Sequence, residues 1–286
     1  MLKSLLNTNK PLALMLIKAQ KEVFSKIVGE NNSRTKGSGY DFIELREYES
    51  GDDIKHIDWI ISSKMDKPHV KVFHQQRELN IVIAPILSGS VHFGTKVFKK
   101  ALINEVSTLI AYSCVRQNDP FESLICNDDV MLNTKKTKQL FGVRTLAEKI
   151  DAYDVLGKGV DYKGISQKLF THLRQRSLLF LIGDFFDTQE LDLRALSIKH
   201  ELIVIIIRDR FEEDPLNIGE LNITDPITQK TAHINLTKTA SQAIAKNVFE
   251  EDEILFKKLK KSGIKFVKIY TDENPAQKVL SLMSAQ

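Results

Sequence analysis

No apolar run in the chain reaches the roughly 18–20 residues that a membrane span needs. The best candidate, residues 11–17, is short and flanked by Lys10 and Lys18, with no small-residue cleavage site after it. That argues against a signal peptide, and the sequence predicts a cytoplasmic protein with no membrane span. Cysteine is scarce: Cys114 and Cys126 are the only two. They lack metal-ligand spacing and read as small buried thiols in a reducing compartment, with a disulfide between them left open. An excess of one charge is missing too. The 41 Lys and Arg against 37 Asp and Glu leave a net charge of +4, too mild to indicate a nucleic-acid partner by itself. No phosphate-binding loop and no dinucleotide-binding glycine turn occurs. Ser88-Gly89-Ser90 lacks the glycines that flank the serine of a hydrolase elbow. His69 and His74, an odd number of residues apart on a strand, face opposite ways, and His172, His200 and His233 have no neighbours at ligand spacing. These absences lower the case for an enzyme.

What the chain does contain is an alternation of strands and helices. Residues 11–28 repeat apolar side chains at spacings of three and four, as an amphipathic helix does, and Gly29 ends it. Residues 31–39 read as a loop, and 54–63 as a short helix carrying Trp59, the one tryptophan. From residue 79 the pattern becomes regular. Segments 79–87, 178–182 and 202–207 are near-continuous apolar strands, the sign of burial on both faces. Helices are expected over 96–116, 145–150, 163–174, 191–198, 239–262 and 275–283. A hairpin is expected at 123–132 and a last strand at 266–270. The expected fold class is α/β: a doubly wound, mostly parallel sheet with a smaller N-terminal element. Three segments follow: an N-terminal helix (1–30), a small β-rich element (31–78) and the sheet domain (79–286). Ligands of such sheets lie at the carboxyl ends of the strands, here 87–90, 183–184 and 208–209.

Gly39, Leu45-Arg46, Tyr48, Gly51-Asp52-Asp53, Ile57-Asp58-Trp59 and Ser62 stand in a distinctive order. Val70-Lys71, Phe73, Arg77-Glu78, Ser88, Ser90 and Phe93-Gly94 continue it, as do Arg208-Asp209, Glu212 and the turn 225–228. The pattern resembles the bacterial domain-of-unknown-function family 58, in which such a signature precedes a von Willebrand factor A-like domain. The resemblance implies that fold. It also implies work as an adaptor with MoxR-type AAA+ ATPases, and a strand-end metal-ion-dependent adhesion site built on Asp-x-Ser-x-Ser, a Thr and a later Asp. Residue by residue, Ser88 and Ser90 match the two serines and Asp184 the later Asp. Ile86 stands in place of the first Asp, and the Thr loop is placed at Gly159-Val160-Asp161, with Val160 where threonine belongs. Such a site suits Mg²⁺, which wants a near-octahedral shell of oxygens.

Two hydroxyls and one carboxylate leave a divalent ion under-neutralised, and Ile86 adds apolar bulk. The expected site is therefore degenerate, with weak or no Mg²⁺ binding and no cofactor. Ser88, Ser90 and Asp184 form the partner-binding site, with Asp161 and His92 beside them. Asp161 or Asp187 could supply the lost carboxylate if a loop swings in. Against this, Ser88 and Ser90 could cap a helix starting near Thr95 or tighten the turn, and Asp184 could serve a turn. The cluster Arg46, Asp52, Asp53, Lys55, His56 and Asp58 reads as ion pairs and turn bonds around a packed Trp59. Its other reading is acid–base chemistry. The expected function is a non-enzymatic protein-interaction module. The alternatives are a metal-dependent hydrolase or phosphoryl enzyme using Asp184 with Asp52 and Asp58, and a nucleic-acid binder using Lys135, Lys136 and Lys138.

Overall fold

A computed structural model of the chain describes residues 36–74 and 80–284. The expected helix over 11–28 lies outside the described residues, as do Arg77 and Glu78. The chain divides into two compact units, one ending at Glu78 and the other resuming at Leu79.

The described part of the smaller unit is an antiparallel pair, β1 (Lys36–Glu47) and β2 (His69–His74), whose register shifts twice. Between them, residues 54–63 form two pieces rather than one helix: a 3-10 turn at Ile54–His56 and α1 (Trp59–Met65). Two aspartates divide them. Asp53 accepts from the Lys55 amide, and Asp58 caps α1 by accepting from the Ile60 and Ile61 amides. Trp59 is not packed: it is 67% exposed at the first position of α1.

The larger unit is a six-stranded sheet. Its strands are β3 (Ile81–Pro85), β4 (Phe121–Cys126), β5 (Val130–Thr137), β6 (Leu178–Gly183), β7 (Glu201–Arg208) and β10 (Lys265–Tyr270), in the order β10-β7-β6-β3-β4-β5. All neighbours are parallel except β4 and β5, the expected hairpin. Strands β8 (Gly219–Thr224) and β9 (Thr231–Leu236) form a separate hairpin. This is the doubly wound, mostly parallel sheet that the sequence predicts.

Helices cover both faces because the central strands are apolar at every position. On one face Val82, Ala84 and Ile86 of the β3 segment, with Leu179, Leu181, Val204 and Ile206, share a core. Helices α4 (Tyr162–His172), α5 (Arg194–Lys199) and α7 (Lys238–Lys261) complete it with Ile165, Leu169, Leu196, Leu255 and Leu259. The alternating residues Ile81, Ile83, Phe180, Ile203 and Ile205 are equally buried and point the other way. There α2 (Lys99–Gln117) crosses the sheet, flanked by α3 (Leu140–Ala152) and α8 (Pro275–Ser284). The short α6 (Arg210–Glu213) follows β7 directly. Burying a Leu, Ile or Val side chain contributes about 1.5–3 kcal/mol, so these two layers carry the domain.

Cys114 of α2 and Cys126 of β4 are both free and buried. Burial and the nearby Asp129 push the Cys126 thiol up to about 12. Burial, with Asp119, raises Cys114 further. Reactivity belongs to the thiolate, so both thiols should resist alkylation in the native protein at mildly alkaline pH and both should react in urea. Rapid native labelling of either, counted with a thiol dye, would contradict their placement.

Candidate functional site

Parallel pairing brings the carboxyl ends of the strands to one edge of the sheet. Pro85 pairs with Ile182, Gly183 with Ile206 and Tyr270 with Arg208. The chain beyond β3 continues that pairing, since the Ile86 amide donates to the Ile182 carbonyl at 2.7 Å. Ser88 and Asp184 therefore end adjacent strands. Gly183 lets them approach closely: a Cβ there would stand 3.0 Å from the Ile86 Cβ, which would have to give way by a few tenths of an ångström.

Asp184 is 2% exposed, and one oxygen meets the Lys99 ammonium at 2.9 Å. Lys99, the first residue of α2, is 0% exposed and also meets Glu212 of α6 at 2.5 Å. Burial holds the Glu212 carboxyl above its usual range, although the contact with Lys99 pulls the other way. The second Glu212 oxygen accepts from the Asp209 amide, while Asp209 accepts from the Phe211 amide, a capping box that fixes α6. Asp209 also binds Thr95 through its amide and hydroxyl, and the Thr271 hydroxyl. One carboxylate thus ties the end of β7 to the loop before α2 and to the turn after β10.

A second ionic row runs beside the first. Arg208 donates to Asp252 of α7 at 2.9 Å, Asp252 also meets Lys268, and Lys268 meets Glu213 at 2.8 Å. Phe186 touches both rows: the Arg208 guanidinium lies 3.4 Å from its ring centre and the Lys99 ammonium 5.0 Å.

The turn after β6 is strained. Phe185 and Asp187 have φ of 51° and 52°, left-handed values that cost non-glycine residues on the order of 1–3 kcal/mol each. Several contacts hold it. Phe185 is buried with its ring stacked on Tyr162 at 6.1 Å, and its carbonyl accepts from Arg208 at 3.2 Å. Lys258 of α7 donates to the Thr188 and Gln189 carbonyls at 3.1 Å. Burial, reinforced by the Asp184 charge and opposed by Arg208, raises the Tyr162 hydroxyl well above its ordinary value.

The other predicted residues take separate roles. The Ser88 and Ser90 hydroxyls bond each other at 2.7 Å, and neither caps α2, whose first turn follows Phe98 without a side-chain cap. Asp184 forms an ion pair rather than a turn bond. Asp161 caps α4, accepting from the Gly164 amide at 2.8 Å. His92 is exposed and stacks on Phe98 at 4.7 Å. Asp187 is exposed. Ile86 is 1% exposed in the core, against which Val160 packs. The serine turn is itself covered: a Cβ on Gly89 would lie 2.6 Å from the Pro226 carbonyl, and the Gly89 amide donates to Lys158. The hairpin turn between β8 and β9 therefore rests on Ser88–Ser90.

In the smaller unit, Asp52 pairs with Arg46 at 2.6 Å and Asp58 with Lys71 at 2.8 Å, so the cluster is spent on local bonds. Lys135 and Lys136 are exposed on the edge strand β5. Among the described residues no three His, Cys, Asp or Glu side chains stand together as a metal-binding group. Sequence reasoning missed Lys99 and Asp252 as site residues and used Arg208 only as a strand end and motif position and Glu212 only as a motif position. One signal was present. Lys99 and Lys100 open α2 where the helix dipole disfavours cations, and the first turn contains no acid of its own.

The family model described as Protein of unknown function DUF58 matches residues 44–253. Uncharacterized proteins of Mycobacterium bovis and Mycobacterium tuberculosis are 26% identical over 204 residues, covering 69% of this chain and 64% of each relative. The chain thus spans less than two thirds of those relatives. Among solved structures, the conserved hypothetical protein BatB from Bacteroides thetaiotaomicron is 12% identical, covering 72% of this chain and 97% of that one, with a TM-score of 0.45. An aerotolerance-related membrane protein from Bacteroides fragilis gives 12%, 72%, 96% and 0.42, and the SpRpn10 VWA domain 13%, 71%, 94% and 0.40. These are likenesses of fold alone. The cytoplasmic placement does not stand. A neighbour of this fold is described as a membrane protein; no described helix of this chain is long and apolar enough to cross a membrane.

Hydrogen bonds from Thr271, Thr95 and Phe211 outweigh the burial of Asp209 and hold its carboxyl below the ordinary 3.8. A lowered folded value stabilises above 3.8 and is lost as pH falls through the folded value. Asp209→Asn should therefore flatten the acid limb of stability in urea titrations and cost about 1–3 kcal/mol at neutral pH. Arg208→Met leaves Asp252 with Lys268 alone and should cost about 3 kcal/mol in the same assay.

Proposed function

The chain belongs to the DUF58 family, and on that premise we propose that it is a non-enzymatic protein-interaction module whose strand-end site is a degenerate metal-ion-dependent adhesion site. The supporting observation is the state of Asp184, the one matching carboxylate: an ammonium of the same chain holds it at 2.9 Å, out of water. The residues present do not fit a divalent ion. Ile86 puts a core side chain where the first carboxylate would stand, and Ser88 and Ser90 spend their hydroxyls on each other. An ammonium and a metal ion also exclude each other at the same oxygen. No step of the proposed function passes through a metal.

The partner we propose is a MoxR-type AAA+ ATPase, on the family resemblance. The contact surface is the carboxyl edge of the sheet, where His92 and Asp161 are exposed and Ser90 half-buried. Ser88 and Asp184 lie beneath and hold the loops in place. Paired carboxylates at Asp52 and Asp58 are committed to Arg46 and Lys71, which leaves no poised base among them.

The test is a binding titration of the full chain with the MoxR-type ATPase of its own cell, alone and with chelator. Binding should survive the chelator and weaken at least about tenfold, or 1.4 kcal/mol, in the His92→Ala/Asp161→Ala variant. Loss of binding with chelator, or Mg²⁺-dependent turnover of ester or phosphoester substrates, would refute the reading.

A further inference from the structure

We propose that Lys99 is a tethered replacement for the divalent cation of an adhesion site, an inference that rests on the degenerate-site reading above. Three observations carry it. The Lys99 ammonium is completely buried, and its charge-bearing contacts are two carboxylates from different parts of the chain, Asp184 after β6 and Glu212 in α6. It stands at the carboxyl edge of the parallel sheet, on the residue that ends the strand next to Ser88. Its placement is costly locally, because α2 begins with two lysines and no acid in its first turn. A cation set against the helix dipole and removed from water is retained only where other charges hold it.

The charge balance explains what the side chain does. Asp184 and Glu212 would together neutralise one divalent ion, and Mg²⁺ or Mn²⁺ can be held by one or two carboxylates plus waters. Lys99 supplies a single positive charge at that point. It donates hydrogen bonds but offers no empty coordination position. A partner carboxylate therefore cannot complete a shell there, and recognition at this edge falls to the surrounding loops.

The experiment compares full-length wild type, Lys99→Ala and Lys99→Ala/Asp184→Asn by thermal unfolding and calorimetry with Mn²⁺, Mg²⁺ or chelator. Wild type should show no saturable Mn²⁺ heat and no change in Tm. Lys99→Ala should unfold at lower temperature, bind Mn²⁺, and regain several degrees of Tm with it. The double variant should not respond. Should Lys99→Ala fail to fold with and without Mn²⁺, Lys99→Gln is measured in the same way. A folded Lys99 variant that Mn²⁺ does not stabilise overturns the assignment to Lys99 while leaving the partner reading intact. Saturable Mn²⁺ binding by wild type that Asp184→Ala removes overturns both.

Discussion

Lys99, Asp184 and Glu212 meet at the sheet edge, the first two with almost no access to water and Glu212 partly buried. Burying such charges costs several kcal/mol per ion, and their attraction repays it only while the geometry holds. The elements that carry them must therefore keep their positions. β6 is fixed by pairing on both sides, α2 by its packing across the sheet, and α6 by its capping box. If α6 moved away, Lys99 would lose one of its two carboxylates. If the first turn of α2 frayed, both acids would be left buried and unpaired. The ionic contact thus makes three separate elements depend on one another.

The loops around this contact are correspondingly over-determined. Left-handed backbone at Phe185 and Asp187 persists because a stacked ring, a guanidinium and a lysine of α7 all hold the turn. Asp209 joins the end of β7 to the segment before α2 and the turn after β10. The hairpin turn at Pro226 closes over the serine turn so tightly that only glycine fits at position 89. Such an edge is a rigid surface, suited to the docking role proposed here.

Much of the fold was legible because burial on both faces leaves a plain trace. Residues 178–182 and 202–207 are apolar without interruption, and they are strands β6 and β7, each paired on both sides. Boundaries were less so. The helix expected from residue 96 begins at Lys99, because Thr95 is drawn to Asp209, a residue 114 positions away. Trp59 was expected to pack and stands exposed, since aspartates rather than its ring organise that turn. At the site, Ser88, Ser90 and Asp184 could be found by motif. Lys99 could not be placed with them, since a lysine at the start of a helix reads as a solvated one unless its partners are known.

The sequence by itself determined the doubly wound sheet, the strand ends where a site would lie, and the apolar side chain at position 86. Those properties are local: periodicity, turn chemistry and the identity of one side chain. Only the tertiary structure decided what stands against Asp184. Lys99 is 85 residues away along the chain and Glu212 lies 113 residues beyond Lys99. Their meeting depends on how α2 and α6 lie over the sheet, and no pattern within a short window encodes that distance.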